Sequence, residues 1–369
     1  MSVQPNDPLH VVPLSEDTSQ TIRNARVICI LFMMTVHIWP GSERILAADV
    51  PDLHHVFYTI VVDYFGRASV PLLSIFSGIL LAQSVSGKTA YLKIAAKKAY
   101  TLVPPIVFWS VPIILLTFAA RLVLGRDEEV PTTLVEWLNA LFGVFGAPAN
   151  SPLHFLRDIF IMSIIGLAAI FVFRRSQILA LALLGLFLFN EHDGDGFILF
   201  RNQIGSFYIA GMLIALYGAS NWVPRWTLVL AVLVMSEVVK RFLADPLLAF
   251  HTETVLRAHL PRLAMTLLMW RIGASIYRLG PRFIASINRL ERHIFVVFCS
   301  HSVTIKFFGL FALLTGLSEN SAIYLGFFLV QVPICLAIGV VLSIVLKDVP
   351  LANGGRRSRG TAGLAKATP

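Results

Sequence analysis

Apolar runs close to bilayer length recur along this chain from Arg26 to Leu346. A membrane helix needs about 20 largely apolar residues to cross a hydrocarbon core of roughly 30 Å. Ten candidate spans follow from these runs, at 23–41, 56–84, 98–122, 152–173, 176–190, 199–219, 223–244, 254–276, 288–314 and 320–346. Composition agrees: 56% of the 369 residues are hydrophobic and 14% charged, against roughly 25% charged in ordinary soluble domains. The expected fold is therefore an all-α integral membrane bundle of about ten transmembrane helices, which excludes a soluble domain. The second span is long and contains Pro71, so a kink or break is expected there. A further apolar stretch, Thr132 to Gly146, is short for a span and is expected at the interface.

The net charge of +9 would suit a nucleic-acid binder, but the basic residues occupy short connections between apolar runs. Cytoplasmic loops carry the Lys/Arg excess in membrane proteins, and alternate connections differ sharply here. One set holds Arg23; Lys88, Lys93, Lys97 and Lys98; Arg174 and Arg175; Arg225; Arg271 to Arg292; and the tail with Arg356, Arg357 and Arg359. The other is mixed or acidic, with Glu43, Asp49 and Asp52, then Asp127 to Glu129, then Glu191, Asp193 and Asp195, then Glu319. Both termini are expected in the cytoplasm, with the chain in a bacterial inner membrane. Residues 1–20 read as a polar cytoplasmic tail without the basic start of a signal peptide, residues 21–347 as one membrane domain, and residues 348–369 as a basic, disordered cytoplasmic tail. The tail arginines suit anionic lipid headgroups, although topology alone accounts for them. Cys29, Cys299 and Cys335 lie in apolar segments at spacings that suggest neither a disulfide framework nor a metal site. The oxygen-rich stretch Glu191 to Gly196 lacks the spacing of a calcium loop. No metal is expected. Internal repeats, common in transporters, are not evident.

An ionisable group within a membrane helix is costly and marks a candidate site. The first span, RVICILFMMTVHIWPG, begins with Arg26 and carries His37 eleven residues later. At about 100° per residue the two return to within roughly 20° of one helical face, separated by about 16 Å along the axis. Both can therefore line one conduit, with His37 past the bilayer midpoint, where an imidazole can take a proton from a hydroxyl. A snorkelling arginine and a hydrogen-bonded interior histidine fit the pair equally well.

Arg26, ten intervening residues and His37 resemble the first-helix motif of the membrane acyltransferase-3 family, whose members O-acylate glycans. Further pieces follow in order. FGRASVPLLSIFSGILLA, Phe65 to Ala82, is similar to the second-helix pattern ending in Ser-Gly, here Ser77 and Gly78. KKAYTLVPP resembles the basic cluster and proline that open the third helix, although Thr101 stands where the family often has a second arginine. PLHFLRD, Pro152 to Asp158, looks like a Trp-Phe-Leu segment with His154 in place of Trp, and VVFCSHSV, Val296 to Val303, like a late Tyr-Leu-x-His segment. The resemblance implies an acyl-CoA:glycan O-acyltransferase using succinyl-CoA or acetyl-CoA as co-substrate, without a permanently bound cofactor. It is nearest to proteins that acylate bacterial exopolysaccharides and periplasmic glucans. Partners would be acyl-CoA, a polysaccharide or lipid-linked oligosaccharide, and membrane lipids, not nucleic acid.

On this reading His37 is the general base, with Arg26 as its catalytic companion, and Lys97 and Lys98 take the donor's phosphates. Asp63, Arg67, Ser77, Arg157 and His301 are candidates for the acceptor or acyl group. Asp63 and Arg67, four residues apart, can pair on one helical face; alternatively Arg67 grips the carboxylate of a succinyl group. Arg157 and Asp158 are adjacent, so at most one should face a cavity. Neither His-x4-Asp nor Gly-x-Ser-x-Gly occurs, which leaves a serine nucleophile unsupported. The rival reading is a proton-coupled transporter or flippase, with His37 relaying protons and Arg26 binding an anionic solute.

Overall fold

The computed structural model describes residues 11–41, 52–85, 91–125, 130–173, 176–189, 199, 201–242, 251–317 and 323–355, and these are helical with no β-strand. The acidic loops at 43–49, 127–129 and 191–196, the basic pair 174–175 and the tail arginines lie outside the described residues. The helices are α1 (Glu16–Thr35), α2 (Asp52–Tyr58), α3 (Arg67–Val85), α4 (Tyr91–Leu124), α5 (Leu134–Phe142), α6 (His154–Phe173) and α7 (Gln177–Phe189). They continue as α8 (Asn202–Leu216), α9 (Trp226–Phe242), α10 (His251–Ser275), α11 (Pro281–Glu291), α12 (Ile294–Leu314), α13 (Tyr324–Val345) and a last turn, α14 (Pro350–Asn353).

A helix occupies each of the ten expected spans, but among the described residues five stretches are long and apolar enough to cross a membrane: Asp52–Val85, Tyr91–Val123, Ser151–Ile170, Ile294–Leu314 and Tyr324–Val345. The others fall short for physical reasons. α1 carries Glu16, Asp17, Arg23 and Arg26, while α7 and α8 have 13 and 15 residues, fewer than the roughly 20 a full crossing takes. Many outward apolar side chains are exposed, among them Leu115, Leu122, Leu181, Leu230 and Val341. Such a surface suits lipid rather than water.

Several boundaries differ from the sequence expectation. α1 begins at Glu16, inside the expected polar tail, because Ser15 caps it by accepting from the Thr18 N–H at 3.1 Å, and the acidic first turn suits the helix dipole. The residues before α1 are also anchored. The Val12 carbonyl accepts from Gln83, and Asn221 bonds both Pro13 and Ser15. The second span is continuous helix, and its winding changes upstream of Pro71. A π-helical segment, Thr59–Gly66, joins α2 to α3, and Pro71 sits within regular helix near the start of α3. The ninth span starts later than expected, since α11 is a separate amphipathic helix and α12 begins only at Ile294. The expected disordered tail holds a short turn at its start. In α14, Ala352 is fully buried and its carbonyl accepts from Trp109 Nε1 at 3.0 Å, while Asn353 Nδ2 donates to the Lys347 carbonyl at 2.7 Å.

The α3–α8 crossing explains the glycine of the Ser-Gly pair. A Cβ on Gly78 would lie 2.1 Å from the Tyr208 carbonyl oxygen, and one on Gly211 would lie 2.0 Å from that of Ile75. Small residues at facing positions let two membrane helices bring their backbones together. Gly78 thus fixes α3 against α8, and the adjacent Ser77 is carried to a cavity wall.

Candidate active site

Helix α1 ends at Thr35, and the chain continues as an irregular segment to Gly41, whose φ of 90° favours glycine. This segment carries His37. Gln331 of α13, wholly buried, grips it two residues later: Gln331 Oε1 accepts from the Trp39 N–H at 3.1 Å, and Gln331 Nε2 donates to the Trp39 carbonyl at 2.7 Å. The Trp39 ring meets Tyr324 and Phe327 edge-on and lies against Gly309. Backbone groups without helical partners are thereby satisfied by one side chain, and His37 is held between α12 and α13.

The structure brings His37 and His301 together. Their rings are 5.6 Å apart between centroids, and His301 is fully buried. His301 Nδ1 donates to the Phe298 carbonyl, which leaves Nε2 as the unprotonated nitrogen of a neutral imidazole. That Nε2 has no hydrogen-bond partner among the described residues.

Two cavities are stacked along the bundle. The first, about 580 Å³, is lined by His37, Trp39, Thr117, Ser151, Ser302 and Lys306. The second, about 170 Å³, is lined by Arg26, Ser77, Lys98, Phe155 and Phe298 among others. The same helices serve both. α1 presents Arg26, Ile30 and Met33 to the second cavity and delivers His37 to the first; α4 presents Lys98 and Leu102 to the second and Ile113 and Thr117 to the first. Leu102 and Ile113 are eleven residues apart, or about 16 Å along a helix. Between the cavities stands an aromatic septum. Phe298 lies 5.8 Å from the His301 ring and 6.1 Å from that of Phe155. The single conduit expected from the Arg26/His37 spacing is thus two chambers, with Phe298 of α12 in the wall of the second meeting His301, which in turn meets His37 of the first.

Other expected residues sort clearly. Arg26 Nη1 donates to Glu291 Oε1 at 2.6 Å, and both side chains are about a quarter exposed. Glu291 went unrecognised in the sequence because it falls inside the ninth apolar segment as drawn there; it is the last residue of α11. Lys98 lines the second cavity, whereas Lys97, rotated about 100° away, is exposed. Ser77 also lines that cavity, its hydroxyl donating back to the Leu73 carbonyl at 2.8 Å. Asp63 and Arg67 pair with each other at 2.9 Å, both substantially exposed, and line neither cavity. Arg157 folds back onto its neighbour Asp158 at 2.9 Å, and Asp158 also accepts from the Arg201 N–H at 3.0 Å. Adjacent residues on a helix thus do meet here, since a long guanidinium arm can reach across, and neither lines either of these two cavities.

The comparisons with known proteins point the same way. The succinoglycan biosynthesis protein ExoH of Rhizobium meliloti (strain 1021) is 27% identical over 268 residues, covering 70% of each chain. No solved structure matches. The acyltransferase-3 family, described as an acyltransferase domain, matches residues 20–347. With that match spanning most of the sequence, the chain belongs to the acyltransferase-3 family.

Proposed function

We propose that this protein is a membrane-embedded O-acyltransferase that moves a succinyl or acetyl group from acyl-CoA to a hydroxyl of an exopolysaccharide or lipid-linked glycan, with His37 as general base. The observation that carries this reading is the placement of Arg26, on α1, and His37, on the irregular segment that follows it, in the walls of two neighbouring cavities. The donor enters the Arg26 chamber, its phosphates held by the cations at that end, Arg26 and Lys98. Its thin pantetheine arm passes the Phe155/Phe298 septum. The acceptor sugar occupies the His37 chamber. An imidazole nitrogen of His37 takes the hydroxyl proton as the oxygen attacks the thioester carbonyl. The tetrahedral intermediate then collapses, the C–S bond breaks, and the leaving thiolate recovers the proton from the imidazolium. Alignment of donor and acceptor by the two chambers supplies much of the remaining rate. On this reading the membrane is a bacterial inner membrane, and the Lys/Arg asymmetry supports a cytoplasmic Arg26 end.

Deletion of the gene is expected to remove acyl esters from surface or periplasmic glycans, leaving the glycan backbone in place, as read by mass spectrometry of wild-type and deletion strains. Unchanged esters, together with loss of uptake or counter-transport in proteoliposomes, would favour the transporter reading. The ExoH relationship directs the search first to exopolysaccharide.

A further inference from the structure

A third cavity, about 660 Å³, adjoins the His37 chamber, and the two share Thr117 and Ala149 in their walls. It lies between α4 and the short helix α5. Each of the two volumes falls in the roughly 300–1,000 Å³ range that houses a whole small ligand. A single sugar hydroxyl needs only the one beside His37.

The lining of this third cavity is built for a polar, ring-shaped ligand. Glu136 is locked by a capping box: its Oε2 accepts from the Thr132 N–H and hydroxyl at 2.6 and 2.8 Å and from the Thr133 N–H at 3.1 Å. All those bonds fall on one oxygen, so Oε1 remains an acceptor. Asn139 Oδ1 accepts from the Phe145 N–H at 2.8 Å, which turns the amide nitrogen out as a donor. Arg121 stands on the facing wall, and the exposed Phe145 ring offers an apolar face. The frame is braced where Trp137 of α5 stacks on Phe118 of α4, 6.4 Å between centroids. A fixed acceptor, a fixed donor, a cation and an aromatic face together match the alternating hydroxyl edges and C–H faces of a pyranose.

We infer that the acceptor is a glycan chain of more than one sugar, held in a continuous groove from His37 past Thr117 and Ala149 to Arg121, Glu136, Asn139 and Phe145. This rests on the proposed reading of the His37 chamber as the acceptor side. The outer half of the groove sets which chain is accepted, and the inner half presents one hydroxyl to the base.

The test uses the full-length protein in detergent and a size ladder of the host's own de-esterified exopolysaccharide, cut by partial hydrolysis from single sugars to fragments of several repeat units. Binding is followed by tryptophan fluorescence, without acyl donor. Longer fragments are expected to bind about 10-fold or more tighter than single sugars, the worth of two or three ordinary hydrogen bonds. The Arg121→Gln/Asn139→Ala double variant should lose that length preference, with single-sugar binding changed less than about twofold, a difference of under half a kcal/mol. Length-independent binding by the wild type, or a preserved length preference in the double variant, would overturn the proposal. Failure of the enzymatic reading looks different: fragments would bind with the expected length dependence, yet no acyl group would transfer to them from acyl-CoA. Conversely, transfer to fragments of every length at equal KM would leave the enzyme standing and remove the groove.

Discussion

His37→Ala is expected to reach the membrane at wild-type levels and to lose about 10²–10⁴-fold of glycan O-acylation, the usual contribution of a positioned general base. An apolar replacement suits the surroundings, since the neighbouring Ile38 is buried and Met33 and Met34 precede it in the α1 core. The loss is therefore chemical. It is read as acyl transfer from labelled acyl-CoA in membranes matched for protein amount. His301, 5.6 Å away, is fully buried and does not line the His37 chamber, so it is poorly placed to stand in. Near-wild-type transfer by His37→Ala would remove the base from the mechanism and leave the chambers in need of another catalyst.

Gln331→Ala should show the second largest loss, although Gln331 touches neither proposed substrate. Its two hydrogen bonds to Trp39 fix the irregular segment that carries His37, which makes it a positioning residue. Displacing a catalytic group by about 1 Å can cost on the order of 100-fold, so kcat is expected to fall by about that factor while KM for the donor stays within about twofold, the walls of the Arg26 chamber being untouched. Some stability is lost as well, since buried backbone groups left without partners cost roughly 1–3 kcal/mol each. The conservative variant separates the two effects. In Gln331→Glu a protonated carboxyl accepts from the Trp39 N–H and donates to the Trp39 carbonyl, whereas a carboxylate cannot donate. Its activity relative to wild type at the same pH should therefore rise as pH falls. A lowered melting temperature with unchanged kcat, and no pH dependence in that ratio, would reduce Gln331 to a structural residue.

Much of this arrangement was legible in the sequence because membrane helices announce themselves by composition. The sequence singled out Arg26 and His37 but set them on one helical face, whereas α1 ends at Thr35 and the two line different cavities. Ser77 came from the resemblance of its Ser-Gly segment to the family pattern. What the sequence could not show depends on pairing across the bundle. Glu291 and Gln331 are single polar residues within or beside apolar stretches, and nothing local links them to partners 265 and 292 residues away. The septum was hidden for a similar reason: Phe155 and Phe298 read as ordinary apolar positions, and only tertiary packing sets them between the chambers. Arg67 stood open between two roles. Its spacing from Asp63 allowed both a surface pair and a carboxylate grip, and the structure forms the pair, away from the cavities. For the same reason Arg157 yields to its neighbour: a fully buried Asp158 needs a cation, and the nearest one supplies it.

The septum also bears on how a cell can tolerate such a protein. A membrane potential is worth about 2.3 kcal/mol per elementary charge for each 100 mV, and a water-filled passage joining two chambers would dissipate it. Phe155 and Phe298 set apolar rings in the wall of the Arg26 chamber, on the side of His301, where they oppose such a passage, and on the proposed mechanism the only group left on the far side is the acyl unit. Neither CoA nor the glycan has to cross. On that mechanism the barrier has to admit only the pantetheine arm, without the rocking halves by which transporters alternate their access, and acylation on one face draws on donors from the other while the passage is filled by the donor itself.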